Sequence, residues 1–211
     1  MWLACGGPVE DSGPVLFDVL EPFHTLIITT ATGSVALLPS EDGDLHGELV
    51  IVDRADGYKQ DLTDGVLTLA ATCPNSEAGC TSGFALEIAD DLSIDIQTEG
   101  GDLSFEDVRD ADLKAVTATG DLRAVHLGRN VDLDVTTEAG AMDVQFQRVP
   151  VGIDLQTELG DIDVTVPSDG YAYEIVAGGE DVVTDVLLDA NGPSVRLTSS
   201  QGDVTLTGRV E

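Results

Sequence analysis

The sequence predicts an all-β chain folded as a parallel β-solenoid, a stack of short coils built from paired strands. Three observations carry this expectation. Gly101, Gly120, Gly140 and Gly160 stand 19, 20 and 20 residues apart. A repeat of that length is one supersecondary unit that cannot bury its own apolar face and must stack on copies of itself. On both sides of each glycine, apolar and polar residues alternate with a period of two. Helical periodicity is nearly absent: only Asp107 to Ala111 could form a single turn, and the links between copies leave no room for crossover helices.

Each copy reads as a strand, a bend at the glycine and a second strand. Seven residues before the glycine stand Ile94, Leu113, Leu133 and Ile153, and five before it Ile96, Ala115, Val135 and Leu155. Two residues after it stand Leu103, Leu122, Met142 and Ile162, and four after it Phe105, Ala124, Val144 and Val164. These apolar columns define the inward face. Thr98, Thr117, Thr137 and Thr157 share the inward parity, where their hydroxyls are expected to satisfy backbone groups at the bend. Asp102, Asp121 and Asp161 follow the glycine and suit a turn exit. The pattern extends to Leu26–Leu37 around Gly33 and to Val195–Leu206 around Gly202. Gly179 marks a weaker copy, because Asp181 takes an inward place, and residues 42–92 hold looser coils. Roughly eight or nine coils fit, for a rod of about 40 Å at one strand spacing per coil. An antiparallel sandwich is the competing fold, but it does not predict identical columns at constant spacing.

The chain divides into a Gly-, Pro-, Asp- and Ser-containing tether over residues 1–22 and one solenoid domain over 23–211. Hydrophobic residues make up 42% of the 211 residues and aromatics only 4%, so the core is aliphatic. Forty Asp and Glu against nine Lys and Arg give a formal charge of −31. That field excludes nucleic acid as a partner and repels an anionic membrane surface, while attracting cations and basic partners. No apolar stretch is long enough to span a membrane as a helix.

Cys73 and Cys80 flank a short polar turn and are expected to form a disulfide in an oxidising compartment, the alternatives being two inert thiols or half a metal site. Leu3-Ala-Cys5-Gly resembles the end of a bacterial lipoprotein signal, which makes Cys5 a lipidation candidate. Only four residues precede it, so the basic and apolar parts of such a signal are missing; the competing reading is a chance cysteine in a frayed terminus.

The recurring Thr-x-x-Gly-Asp pattern followed by alternating apolar residues resembles the bacterial "putative adhesin" family, a domain of unknown function. The resemblance covers about residues 24–207, including Thr29–Val35, Val164–Pro167 before Tyr171-Ala-Tyr173, and Gly202–Thr205. It implies a right-handed β-helix-like solenoid exported to the cell envelope, at the outer membrane, periplasm or cell surface, and often lipid-anchored. It carries no catalytic residues over to this chain.

Among the residues themselves, no nucleophile elbow, phosphate loop, paired Cys-x-x-Cys or zinc-protease motif is present in the sequence. His24, His46 and His126 lie far apart and read as surface or strand residues rather than ligands. The outward acids are the one constellation to weigh. Lys114 falls between Asp95 and Asp134, and Arg123 faces Asp143, whereas Asp134/Asp154, Glu138/Glu158 and Asp143/Asp163 stack like charge on like charge without relief. Water and salt can screen such pairs; otherwise these six carboxylates are candidate ligands for Ca²⁺. The expected function is therefore a non-enzymatic envelope or surface protein, an adhesin or scaffold, whose partners are envelope components or further copies of itself. A Ca²⁺-binding or self-assembling solenoid is the first alternative. A polysaccharide-active β-helix enzyme is the second, and the short links leave no walls for its groove.

Overall fold

The computed structural model describes residues 14–52, 57–72 and 81–209. The lipidation candidate Cys5 and the disulfide candidates Cys73 and Cys80 lie outside these residues. The described chain forms twenty strands in two ten-stranded sheets.

Four central coils follow the repeat. They are β8 (Ser93–Gly100) with β9 (Leu103–Glu106), β10 (Asp112–Thr119) with β11 (Leu122–Leu127), β12 (Asp132–Ala139) with β13 (Met142–Phe146), and β14 (Gly152–Leu159) with β15 (Ile162–Pro167). The first strand of each coil enters one sheet and the second enters the other, always parallel to its neighbours. Leu113 pairs with Ile94 on one side and Leu133 on the other, and Leu133 pairs with Ile153, as the apolar columns require. The two sheets face each other across one aliphatic core, in which Leu133, Val135, Val144 and Leu155 have no solvent exposure.

The stack departs from chain order at both ends. The first strong copy, β2 (Thr25–Thr32) and β3 (Val35–Pro39), lies between the coil of β8 and β9 and a later coil, β6 (Val66–Thr72) and β7 (Thr81–Ile88). The last strong copy, β19 (Ser194–Gln201) and β20 (Val204–Arg209), inserts between the coil of β14 and β15 and the coil of β16 (Gly170–Ala177) and β17 (Asp181–Thr184). Successive copies therefore stack in sequence order only through the central four. The physical reason lies in the apolar columns. A coil with two neighbours must be apolar in every inward column, as the Gly33 and Gly202 copies are. The weak Gly179 copy stands at the end, with Asp181 exposed.

Antiparallel strands close the other end. β4 (Leu45–Val52) pairs with β7, β1 (Val15–Val19) with β4, and β5 (Gly57–Thr63) with β6. Residues 15–19, assigned to the tether by sequence, thus belong to the sheet. At the opposite end β18 (Leu187–Leu188) adds to β16. Asp107 to Ala111 forms no helical turn; it is a corner in which Val108 and Ala111 are buried and Asp107 and Asp110 take left-handed backbone.

At the bends the coils touch backbone to backbone. A Cβ on Gly101 would collide with the carbonyl of Gly33, one on Gly120 with that of Gly101, one on Gly140 with that of Gly120, and one on Gly160 with that of Gly140. The N–H groups of Gly101, Gly120 and Gly140 donate to the carbonyls of Thr119, Ala139 and Leu159 at 2.8–3.0 Å. Next to this column the threonines are buried, and most of their hydroxyls serve the backbone. Thr98 donates to Gly100 O, Thr117 to Thr119 O and Thr157 to Gly140 O, and Ser199 does the same to Gly160 O. Thr137 is the exception, with a buried hydroxyl that finds no partner among the described residues.

Candidate functional site

The outward columns place the six candidate carboxylates on opposite faces of the solenoid. Asp134 and Asp154 are register partners on one sheet, with Glu138 and Glu158 four residues further along the same strands; Asp143 and Asp163 are partners on the other sheet. They form three adjacent pairs and do not converge on one point. The column of Asp134 and Asp154 is also better neutralised than chain order implies. Arg196 of β19 stacks beside Asp154, its Nη1 lying 3.5 Å from Asp154 Oδ2 and its Nε 3.4 Å from Glu174 Oε2. The pair is thus flanked by Lys114 on one side and Arg196 on the other. Asp143 keeps Arg123 as its neighbour, while Ala118 and Ser200 flank Glu138 and Glu158.

The aspartates that follow the glycines have a structural role. Asp102 Oδ1 accepts the N–H of Asp121 at 3.0 Å, Asp121 Oδ1 that of Ala141 at 2.9 Å, Asp161 Oδ1 that of Asp203 at 2.8 Å, and Asp203 Oδ1 that of Glu180 at 2.8 Å. Each carboxylate caps the next coil at a bend where the strand ladder is interrupted.

Three other features stand apart from the repeat. The first is a surface groove of about 630 Å³ at the end where β4 and β7 pair. Its walls include Gly33, Ala36, Val50, Gly83, Ala85 and Gly101, with Thr and Ser hydroxyls among the rest. Among the described residues no ionisable side chain lines it, although the chain carries 40 Asp and Glu.

The second is a clasp at the same end. His46 on β4 hydrogen-bonds Asp18 of β1 through Nδ1 at 2.9 Å and Asp42 through Nε2 at 3.0 Å. These bonds, to Asp18 first, push the imidazole up to about 9. The backbone N–H of Asp44, then His46 and Ser40, hold the Asp42 carboxyl down at about 2.

The third is a set of metal-ligating side chains, Glu106, Asp107 and His126, whose ligand atoms all lie within 4.8 Å of one another. Sequence reasoning set His126 aside. The signal was available: His126 follows Asp107 by 19 residues, the spacing of Gly101 and Gly120, so the repeat places it beside the end of β9.

No curated protein matches the sequence. A solved structure described as a putative cell adhesion protein, from Clostridium sporogenes, superposes with a TM-score of 0.50 at 13% identity, over 93% of this chain and 100% of that one. A second, described as a putative adhesin from Bacteroides fragilis, gives 0.45 at 11% identity over 92% and 98%. At 13% identity the likeness to the first is one of fold. The family model is more specific, spanning residues 37–207 and so covering all the central coils, and by that match this chain belongs to the Toastrack DUF4097 family.

Proposed function

We propose that this protein is a non-enzymatic adhesion or scaffold protein of the cell envelope, exported and held there by a lipid on Cys5, which engages uncharged envelope or surface components through its groove. The observation that carries this reading is the groove itself. On a surface with a formal charge of −31, a concave patch of about 630 Å³ whose described lining holds no ionisable side chain is the place where desolvating a neutral partner costs least. The regular residues of the repeat do not compete for that role. The glycines allow backbone contact, the buried hydroxyls serve the bends and the aspartates cap the next coil. The description of the Clostridium sporogenes structure as a putative cell adhesion protein agrees with the reading.

The test is retention of the purified protein on envelope fractions, compared with Ala36→Arg and Ala85→Arg. Both residues face outward in the groove and are half-buried. Loss of retention with an unchanged melting temperature supports the reading, and unchanged retention by both variants overturns it. Cys5→Ser is expected to abolish acyl labelling in cells and release the protein from the membrane fraction.

The exposed end coil favours a second reading, self-association. Leu187 and Leu188 are 69% and 71% exposed at the end of the stack, and β17 is an open sheet edge. Light scattering that rises with concentration in the wild type, and not in a Leu187→Lys/Leu188→Lys double variant, is the result expected of it.

A further inference from the structure

We propose that Glu106, Asp107 and His126 form a binding site for a divalent cation of the zinc class. Three observations meet at this corner. The three ligand atoms already lie within 4.8 Å of one another, while the donors around one tetrahedral Zn²⁺ stand about 3.4 Å apart, given metal–ligand bonds of about 2.0–2.2 Å. Small rotations of Glu106 and His126, which are both exposed, close that gap.

The second observation is that these groups are unspent. No hydrogen bond or ion pair joins any of the three side chains to a described residue. His46 is consumed by Asp18 and Asp42, Asp110 by Arg129 and Asn130, and Asp154 by Arg196 and Gln156. At the corner, an imidazole and two carboxylates approach one another without closing into a pair.

The third observation is the backbone that brings them together. β11 pairs with β13 at Ala124↔Val144 and again at Leu127↔Phe146, so Val125 and His126 stand opposite the single residue Gln145. This bulge is the one break of register among the described parallel ladders. On the other side of β11, Val125 pairs with Glu106, and its carbonyl accepts the N–H of Asp107 at 3.1 Å. The extra residue is His126 itself, held in left-handed backbone at φ +58° beside the end of β9. Bulges re-aim side chains, and this one re-aims the only imidazole that the central coils possess.

The donor set selects the ion. Ca²⁺ and Mg²⁺ take oxygen ligands, whereas one imidazole nitrogen with two carboxylates suits Zn²⁺ and its first-row neighbours. Three protein ligands on an exposed corner leave the remaining coordination to water. The net charge of −31 raises the local cation concentration everywhere on the surface, so selectivity for the ion must come from His126.

The experiment is a calorimetric titration of the whole protein with ZnCl₂ in excess CaCl₂, with its thiols alkylated so that cysteine does not compete. One Zn²⁺ per chain is expected, insensitive to Ca²⁺, with affinity at least tenfold weaker in His126→Asn. Asn tolerates the left-handed backbone, so this variant removes the imidazole without removing the bulge. In the wild type, paramagnetic Co²⁺ is expected to broaden the amides of Asp107, Val125 and Leu127 before those of the Asp134/Asp154 column. Equal Zn²⁺ binding by His126→Asn, displacement of Zn²⁺ by Ca²⁺, or broadening that starts at the acid columns would each overturn the proposal.

Discussion

The central coils and the coils at the two ends are made of the same repeat and obey it to different degrees. Between β8 and β15 each coil has a neighbour above and below, and every column keeps its chemistry: apolar inward, glycine at the bend, hydroxyl beside it. At the ends one side lacks a neighbour. At one end the chain turns antiparallel and admits a groove and a histidine clasp, and at the other the parallel end coil exposes leucines and valines. The difference shows that neighbours, more than the local sequence, enforce the columns. Positions released from that constraint are free to take up function.

The comparison is broken most severely at the bends. Gly140 has φ +156° and no room for a Cβ against the Gly120 carbonyl, whereas Gly43, in the loop before β4, has φ +86° with open space around it. Gly140→Ala must push two coils apart in mid-stack and is expected to leave no cooperative unfolding transition. Gly43→Ala meets only backbone strain, of about 1–2 kcal/mol, and should still melt cooperatively. Similar losses in calorimetry would mean that strain, rather than contact between coils, decides both.

The same contrast holds in the side chains, at smaller scale. Leu133 is fully buried with neighbours on both sides, and Leu133→Ala is expected to cost about 2–5 kcal/mol in denaturant unfolding. Val182 on the end strand β17 is 38% exposed, and Val182→Ala should stay within about 0.5 kcal/mol. A large loss at Val182 would show that the end coil is covered in solution, as self-association requires.

How much of this was legible follows from the same physics. The inward columns were readable because a one-residue slip would turn an entire strand's apolar set to solvent, so alternation around Gly101 to Gly160 determines register. The order of the end coils was not readable by counting along the chain. Arg196 follows Asp154 by 42 residues yet is its register partner, because the last copy inserts beside the coil of β14. The relief of the Asp134/Asp154 pair was missed for that reason. His126 was missed because the three histidines were weighed only against one another, although His126 stands one 19-residue coil after Asp107. The groove was illegible in principle, since it depends on which small residues the out-of-order coils bring together.

The clasp offers a way to loosen one end while leaving the centre alone. His46 has a folded value of about 9 against an ordinary 6.5, so its contribution is fully present below pH 6.5 and is lost as pH rises through 9. Asp42 runs the other way: held at about 2 against 3.8, it contributes above pH 3.8 and loses that contribution as pH falls toward 2. β1 should therefore be docked most firmly between about pH 4 and 6.5. Amide exchange, corrected for its intrinsic pH dependence, is expected to show β1 opening above pH 9 while β12 keeps its protection. His46→Gln should abolish that dependence; equal opening of β1 and β12 would mean that the two regions unfold as one unit.

The smallest effect tests whether the centre itself is fully optimised. The aspartate ladder at the bends has one central gap, where Ala141 stands between Asp121 and Asp161 in the stack. Ala141 receives a cap from Asp121 but has no side-chain acceptor to offer the N–H of Asp161, as Asp102 offers one to Asp121. Ala141→Asn supplies a neutral acceptor and is expected to raise stability by about 0.5–1.5 kcal/mol. Ala141→Asp supplies the same geometry but sets a third carboxylate between two others. Its gain should be smaller at low ionic strength and should approach that of Asn as salt screens the column. If Asn brings no gain, the ladder merely accompanies the stacking of the coils. If Asn and Asp gain equally at low salt, the acidic surface is already screened, and the like-charge pairs cost the central coils nothing.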